Sequence, residues 1–192
     1  MKPIILASSS IYRKQQLERL NVTFSCASPE VDEAPLKATV KDHRQLSRDL
    51  SLLKAQAISA NNPNAIVIGG DQVASMDDTI LSKPKTAERA FEQLKMLNGK
   101  THQLITSLAI IADGQEYLHS CIANMAMRKL SDAQIKRYIA IDQPLHSCGS
   151  YRLEALGISL FDHIDCADYS SIIGIPLMWT ARTLDTLGIE VP

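Results

Sequence analysis

Long apolar runs are missing from this 192-residue chain. No stretch is long or apolar enough to span a bilayer, and the start lacks a signal-peptide pattern with a cleavage site. A cytoplasmic protein with no membrane partner is therefore expected. Charge of one sign is missing too. The formal net charge is −1, so the whole molecule has no attraction for nucleic acid or an anionic membrane. Any phosphate site must concentrate positive charge locally. Nor is there a basic helix interleaved with aromatics, which counts against nucleic acid as a partner. Cysteine is scarce. Cys26, Cys121, Cys148 and Cys166 show no CxxC spacing, which disfavours zinc, thioredoxin-like chemistry and a disulfide framework. His146 stands two residues from Cys148, but nothing in the sequence orients its imidazole for a thiol nucleophile. His43, His102, His119 and His163 lack ligand spacing, so surface or packing roles are expected, and Trp179 is expected in the core. Without repeats, low-complexity tracts or Pro/Gly-rich linkers, residues 1–192 read as one domain, with room for two lobes.

What is present is an ordinary globule, 45% hydrophobic and 21% charged. The apolar run 4–7 predicts a buried strand, followed by a short helix over 13–20 and a strand over 22–24. An acidic loop over 28–35 is bracketed by Pro29 and Pro35, which discourage helix. Helical period over 42–60 places Leu46, Leu50, Leu53 and Ala57 on one stripe. A third buried strand is expected over 65–68, a short hairpin around Asp77-Asp78, and a helix over 86–97 stopped by Asn98-Gly99. Asp113-Gly114 joins two long strands over 101–112 and 116–128. Ser131 caps a helix running to Ile141, 157–164 is strand-like, and a helix follows Pro176. Strands alternate with helices early and pair as hairpins later, which predicts an α/β fold with a mixed sheet.

Two strand ends carry the chemistry. Ser8, Ser9 and Ser10 close the first strand just before Arg13, giving hydroxyls, backbone N–H groups and a guanidinium suited to a polyphosphate. Serines there also serve as helix caps. The second end is Gly69-Gly70-Asp71-Gln72, where the glycines admit close approach and Asp71 is either a turn residue or a working carboxylate. Ligands of open α/β sheets bind beyond the carboxyl ends of strands, and both segments are expected there. Lys54 leans toward its helix's apolar stripe, where a lysine either snorkels to water or meets a buried anion. Lys83, before Pro84, is a surface lysine or a second phosphate contact. Glu33, with Asp71, offers oxygen ligands for Mg²⁺ or Mn²⁺; the acidic loop is otherwise merely solvated.

These residues resemble the Maf nucleoside triphosphate pyrophosphatases over essentially the whole chain. The resemblance rests on Leu6-Ala7-Ser8-Ser9-Ser10 with Arg13, Glu30-Val31-Asp32-Glu33, Lys54-Ala55 and Gly70-Asp71-Gln72-Val73. It continues through Lys83-Pro84, Asn98-Gly99-Lys100-Thr101 and Ile173-Gly174-Ile175-Pro176-Leu177. It implies an elongated mixed sheet flanked by helices, two lobes with a cleft between them, and often a homodimer. It also implies hydrolysis between the α and β phosphates of a nucleoside triphosphate. Asp71 would accept the proton of the attacking water and contact the metal. Arg13, Lys54 and Lys83 would hold the phosphates, and Glu33 would serve the metal or the water.

Tyr12, Gln72 and Glu154 resemble the branch acting on 7-methyl-GTP, in which they would bind the substrate beside the serines. N7-methylation makes guanine cationic, so an aromatic face and a carboxylate both gain attraction for it. Guanine's N1–H and amino group form a pair of donors that Glu154 can accept. The chain departs from the branch's usual residues at Ile11, Tyr12 and Ser82. Two other readings stand beside this one: a pyrimidine (dTTP, UTP or CTP) pyrophosphatase, and a nucleotide-binding cell-division regulator with little catalysis.

Overall fold

A computed structural model describes residues 2–191. The elements run β1 (Ile4–Ala7), α1 (Ile11–Glu18), β2 (Phe24–Ala27), α2 (Ala34–Thr39), α3 (His43–Ser59), β3 (Ile66–Met76) and β4 (Thr79–Leu81). They continue as α4 (Ala87–Leu97), β5 (Thr101–Ala112), β6 (Gln115–Met127), α5 (Asp132–Asp142), β7 (Phe161–Cys166) and α6 (Leu177–Thr186). Short 3₁₀ turns lie at Cys148–Ser150, Leu156–Leu160 and Tyr169–Ile173. The seven strands form one mixed sheet in the order β2-β1-β3-β5-β6-β7, with β4 antiparallel to β3. β1 lies parallel to both β2 and β3, and β6 antiparallel to β7. The expected α/β class with a mixed, helix-flanked sheet is what the chain adopts.

The chain divides into two compact units. The first takes residues up to Gln72, Thr106–Cys121 and everything from Asp168 on; the second takes Val73–Ile105 and Ile122–Ala167. In the first unit, alternation along β1, β3 and β5 sends apolar side chains to both faces. Ile4, Leu6, Ile66, Ile68, Leu108 and Ile110 pack with Leu17 of α1 and Leu184 of α6. Ile5, Ala7, Val67, Ala109 and Ile111 form the opposite cluster with Ala55 of α3. Strands buried on both faces read as continuous apolar runs. Trp179 is partly buried against the first cluster, and its ring stacks on His119 with centroids 5.2 Å apart.

In the second unit a buried network ties α5 to the segment after it. Arg152 Nη2 and Nε donate to the Asp142 carboxylate at 2.8 and 3.2 Å, and the Tyr138 hydroxyl donates to the same group at 2.8 Å. His102 is also buried there. Its Nε2 lies 2.8 Å from the Tyr151 hydroxyl, and burial pushes its pKa down to about 4, so it is a neutral packing histidine.

Several boundaries differ from the sequence expectation. The first helix starts at Ile11, because Ser10 is its N-cap and accepts the Arg13 N–H at 3.4 Å. The second strand occupies Phe24–Ala27, in register with the whole of β1. The proline-bracketed loop gives way to α2, since Pro35 falls in its first turn, where a missing N–H costs nothing. On α3 the most buried face carries Ser47, Ser51 and Ala55 beside Leu46 and Leu50, with Leu53 and Ala57 only half-buried. The expected strand over 157–164 is displaced to Phe161–Cys166. Gly157 instead closes a tight turn, its N–H 3.0 Å from the Arg152 carbonyl. β3 runs eleven residues, so Asp71 and Gln72 lie inside a strand and not beyond its end.

Candidate active site

The site grows from the end of β1. The last parallel pair between β1 and β3 is Ala7 with Gly69, so Asp71 sits two residues past the point where β1 stops and β3 continues. The polar residues therefore gather beyond a strand end after all, that of β1. Ser8 is buried and its Oγ accepts the Ser10 N–H at 3.1 Å. Ser10 caps α1, while Ser9 is exposed.

α3 approaches β3 closely because of Gly69. A Cβ there would lie 2.4 Å from the Ser51 carbonyl oxygen and 2.6 Å from the Ala55 nitrogen. With the helix backbone pressed onto the strand, Lys54 reaches Asp71 from the position just before Ala55. Its Nζ donates to Asp71 Oδ1 at 2.6 Å and pairs with Glu33 Oε1 at 2.8 Å. The lysine side chain is only 12% exposed, so it meets a buried anion and does not snorkel. Glu33, just ahead of α2, also takes the ammonium of Lys37 one turn on. The sequence reading missed Lys37; its i, i+4 spacing from Glu33 was the available signal. On the other side, Ser47 Oγ donates to the Asp71 carbonyl at 3.3 Å.

Arg13 lies in a slot between two glycines. A Cβ on Gly70 would stand 3.3 Å from its Nε, and one on Gly174 3.2 Å from its Cγ. Gly174 has φ +123°, a conformation L side chains rarely adopt, and its carbonyl accepts the Arg13 Nε–H at 3.2 Å. Gln72 donates through Nε2 to Thr106 Oγ1 and to the carbonyls of Ser171 and Ile172, at 2.9 to 3.1 Å. That amide nitrogen is thus committed to the protein. Tyr12 is half-buried on α1. Lys83 and Glu154 belong to the second unit, where both are exposed.

Burial pushes the Asp71 carboxyl upward, against the pull of the Lys54 and Arg13 charges, and the net shift is up. Burial acts on Glu33 in the same sense, but two lysines overcome it and hold its pKa down at about 2. The two carboxylates differ accordingly. Glu33 is a fixed anion, while Asp71 has the more basic oxygen, as a proton acceptor needs. Their shared ammonium also bears on metal binding. One cation already sits between two carboxylates, which is the oxygen donor set that Mg²⁺ or Mn²⁺ takes. Among the described residues no group of three or more His, Cys, Asp or Glu forms a metal centre. Phosphate oxygens and water would have to complete the shell.

Comparison with known proteins gives the family of the chain. The family model described as Maf-like protein matches residues 3–187. A 7-methyl-GTP pyrophosphatase of Pseudomonas putida is 40% identical, over all of both chains. One of Bdellovibrio bacteriovorus is 39% identical over 98% of each. A nucleoside triphosphate pyrophosphatase of Acinetobacter baylyi is 40% identical over 98% of this chain and 97% of its own. Among solved structures, a HAM1 protein from Coxiella burnetii gives a TM-score of 0.39 at 8% identity, covering 66% of this chain and 73% of that one. That likeness is too distant to carry an argument. The family match over nearly the whole sequence, with full-length relatives at these identities, makes the chain a member of the Maf family.

Proposed function

We propose that this chain is a nucleoside triphosphate pyrophosphatase that acts on 7-methyl-GTP. Water attacks the α-phosphorus, the bond from that phosphorus to the α–β bridging oxygen breaks, and 7-methyl-GMP and pyrophosphate leave. One proton of the water passes to an Asp71 oxygen. The observation that carries the reading is the Asp71–Lys54–Glu33 cluster, with Asp71 buried and Arg13 held against Gly70. The names of the full-length relatives support the same substrate class.

Phosphoryl transfer is mostly positioning and charge neutralisation, and the cluster provides for both. Arg13 presents its terminal N–H groups to phosphate oxygens, and Lys54 is a point charge beside the base. A substrate phosphate drawing on the Lys54 ammonium would leave Asp71 freer to take a proton. The family resemblance adds Lys83 as a further phosphate contact. Asp71 and Glu33 would hold a Mg²⁺ or Mn²⁺ ion, which when bound supplies further neutralisation of phosphate charge. Base selection falls to Glu154 and Tyr12, one accepting the two donor groups of guanine and the other offering a face to its cationic ring. Gln72 would not offer its Nε2 to the substrate, because that nitrogen is already engaged.

Initial rates of pyrophosphate release across 7-methyl-GTP, GTP, UTP, CTP and dTTP test the reading. The methylated purine should lead. Glu154→Gln should cut its turnover far more than that of UTP. A lead for UTP or dTTP would replace the purine assignment with a pyrimidine one, and equal losses on both substrates would remove Glu154 from base selection.

A further inference from the structure

The turn that holds Arg13 is itself locked by a buried pair that the reaction does not touch. Asp168 is 5% exposed and Ser170 2%. The Asp168 carboxylate accepts the Ser170 N–H at 3.0 Å and the Ser170 hydroxyl through one oxygen, and the Met178 N–H at 2.9 Å through the other. The Ser170 oxygen in turn accepts the Leu177 N–H at 2.8 Å. Two first-turn amides of α6 are thus satisfied by Ser170 of the 3₁₀ turn Tyr169–Ile173 and by Asp168, which caps that turn, closing the intervening residues into a fixed loop. The Asp168 carbonyl also takes the Ser171 N–H at 3.0 Å and its hydroxyl at 2.7 Å.

Two carbonyls of this loop reach residues of the site or their neighbours. The Gly174 carbonyl takes Arg13 Nε–H, and the Ser171 carbonyl takes the Thr106 hydroxyl at 2.8 Å and the Gln72 amide at 3.1 Å. A carboxylate kept out of water is costly unless hydrogen-bonded, and here Ser170 and Met178, from the loop and helix it joins, donate to it.

We infer that Asp168 and Ser170 are positioning residues: they lock residues 168–174 so that the Gly174 carbonyl aims the Arg13 guanidinium across Gly70 toward the substrate phosphates. This rests on the reading of Arg13 as a phosphate ligand in the proposed reaction. A misplaced guanidinium loses charge stabilisation without loss of the fold.

A double-mutant cycle on pyrophosphate release tests it, with circular dichroism confirming the fold of each variant. Ser170→Ala should lower turnover by about tenfold, in equal proportion for 7-methyl-GTP and UTP, because phosphates and not the base are affected. In an Arg13→Ala background the same change should cost less than about twofold, since the group it positions is gone. Asp168→Asn runs the same cycle, keeping an acceptor for Ser170 and losing the one for Met178. Equal losses in both backgrounds would overturn the positioning role while leaving Arg13 as a phosphate ligand. A wild-type rate for Arg13→Ala alone would overturn the phosphate reading, and the positioning role with it.

Discussion

Lys54 is shared between two carboxylates that respond to it differently, and the difference is the chemistry of the site. Glu33 has a second lysine and stays ionised to about pH 2; Asp71 is buried more deeply and its proton affinity rises. In the unfolded chain Glu33 titrates near 4.5. Its folded pKa is lower, so the folded state favours the ionised form. The stabilisation is present above about pH 4.5 and is lost as pH falls through 2. Asp71 has the opposite sign: its raised pKa gives a contribution that fades as pH rises through the folded value. Glu33→Gln should therefore flatten the acid loss of stability between pH 4.5 and 2, followed by urea midpoints. An unchanged profile would show that Lys37 and Lys54 do not stabilise the Glu33 anion. Most of this cluster was legible in the sequence. Lys54 leaned toward an apolar stripe, which left a buried anion as one of two outcomes, the other being snorkelling to water. The gathering of Lys37 was missed despite its i, i+4 spacing, because α2 was hidden behind prolines that favour a first helical turn as readily as a loop.

Among the elements, β3 and α3 do most to place the cluster, through contact at Gly69. Gly69→Ala would bring a methyl group to 2.4 Å from the Ser51 carbonyl oxygen, a backbone atom that cannot rotate away. Overpacking of this kind costs about 1–3 kcal/mol. The urea midpoint should fall by that equivalent, and activity should fall with it, since Lys54 rides on the displaced helix. A variant of wild-type stability would show that the helix can shift freely. Strand existence and the β5–β6 hairpin were legible from alternation and from Asp113-Gly114, both of which have positive φ. The length of β3 was not, because Gly69-Gly70 looks like the end of a strand. The glycines are there for α3 and Arg13 to approach, and the ladder runs through them. The late strand was misplaced for a related reason: Ile158 continues an apolar pattern, yet the turn closed by Gly157 holds it out of the sheet.

On the scale of the whole molecule the charge is balanced at −1, and the functional cations are few and local. Arg13, Lys54, Glu33 and Asp71 all fall in the first compact unit, where packing could be argued from sequence pattern and then met in the fold. Lys83 and Glu154 fall in the second unit and are exposed. Neither burial nor periodicity distinguishes them from other surface charges, so only resemblance singles them out. The central claim concerns the first group, and one substitution addresses it. Pyrophosphate release from 7-methyl-GTP should be measured for the wild-type chain and for Asp71→Asn, with Mg²⁺ and with Mn²⁺, on protein whose fold is confirmed by circular dichroism. The account predicts a folded variant slowed by ~10²–10⁴-fold, the usual contribution of a general base. A folded Asp71→Asn protein that releases pyrophosphate at the wild-type rate would contradict it.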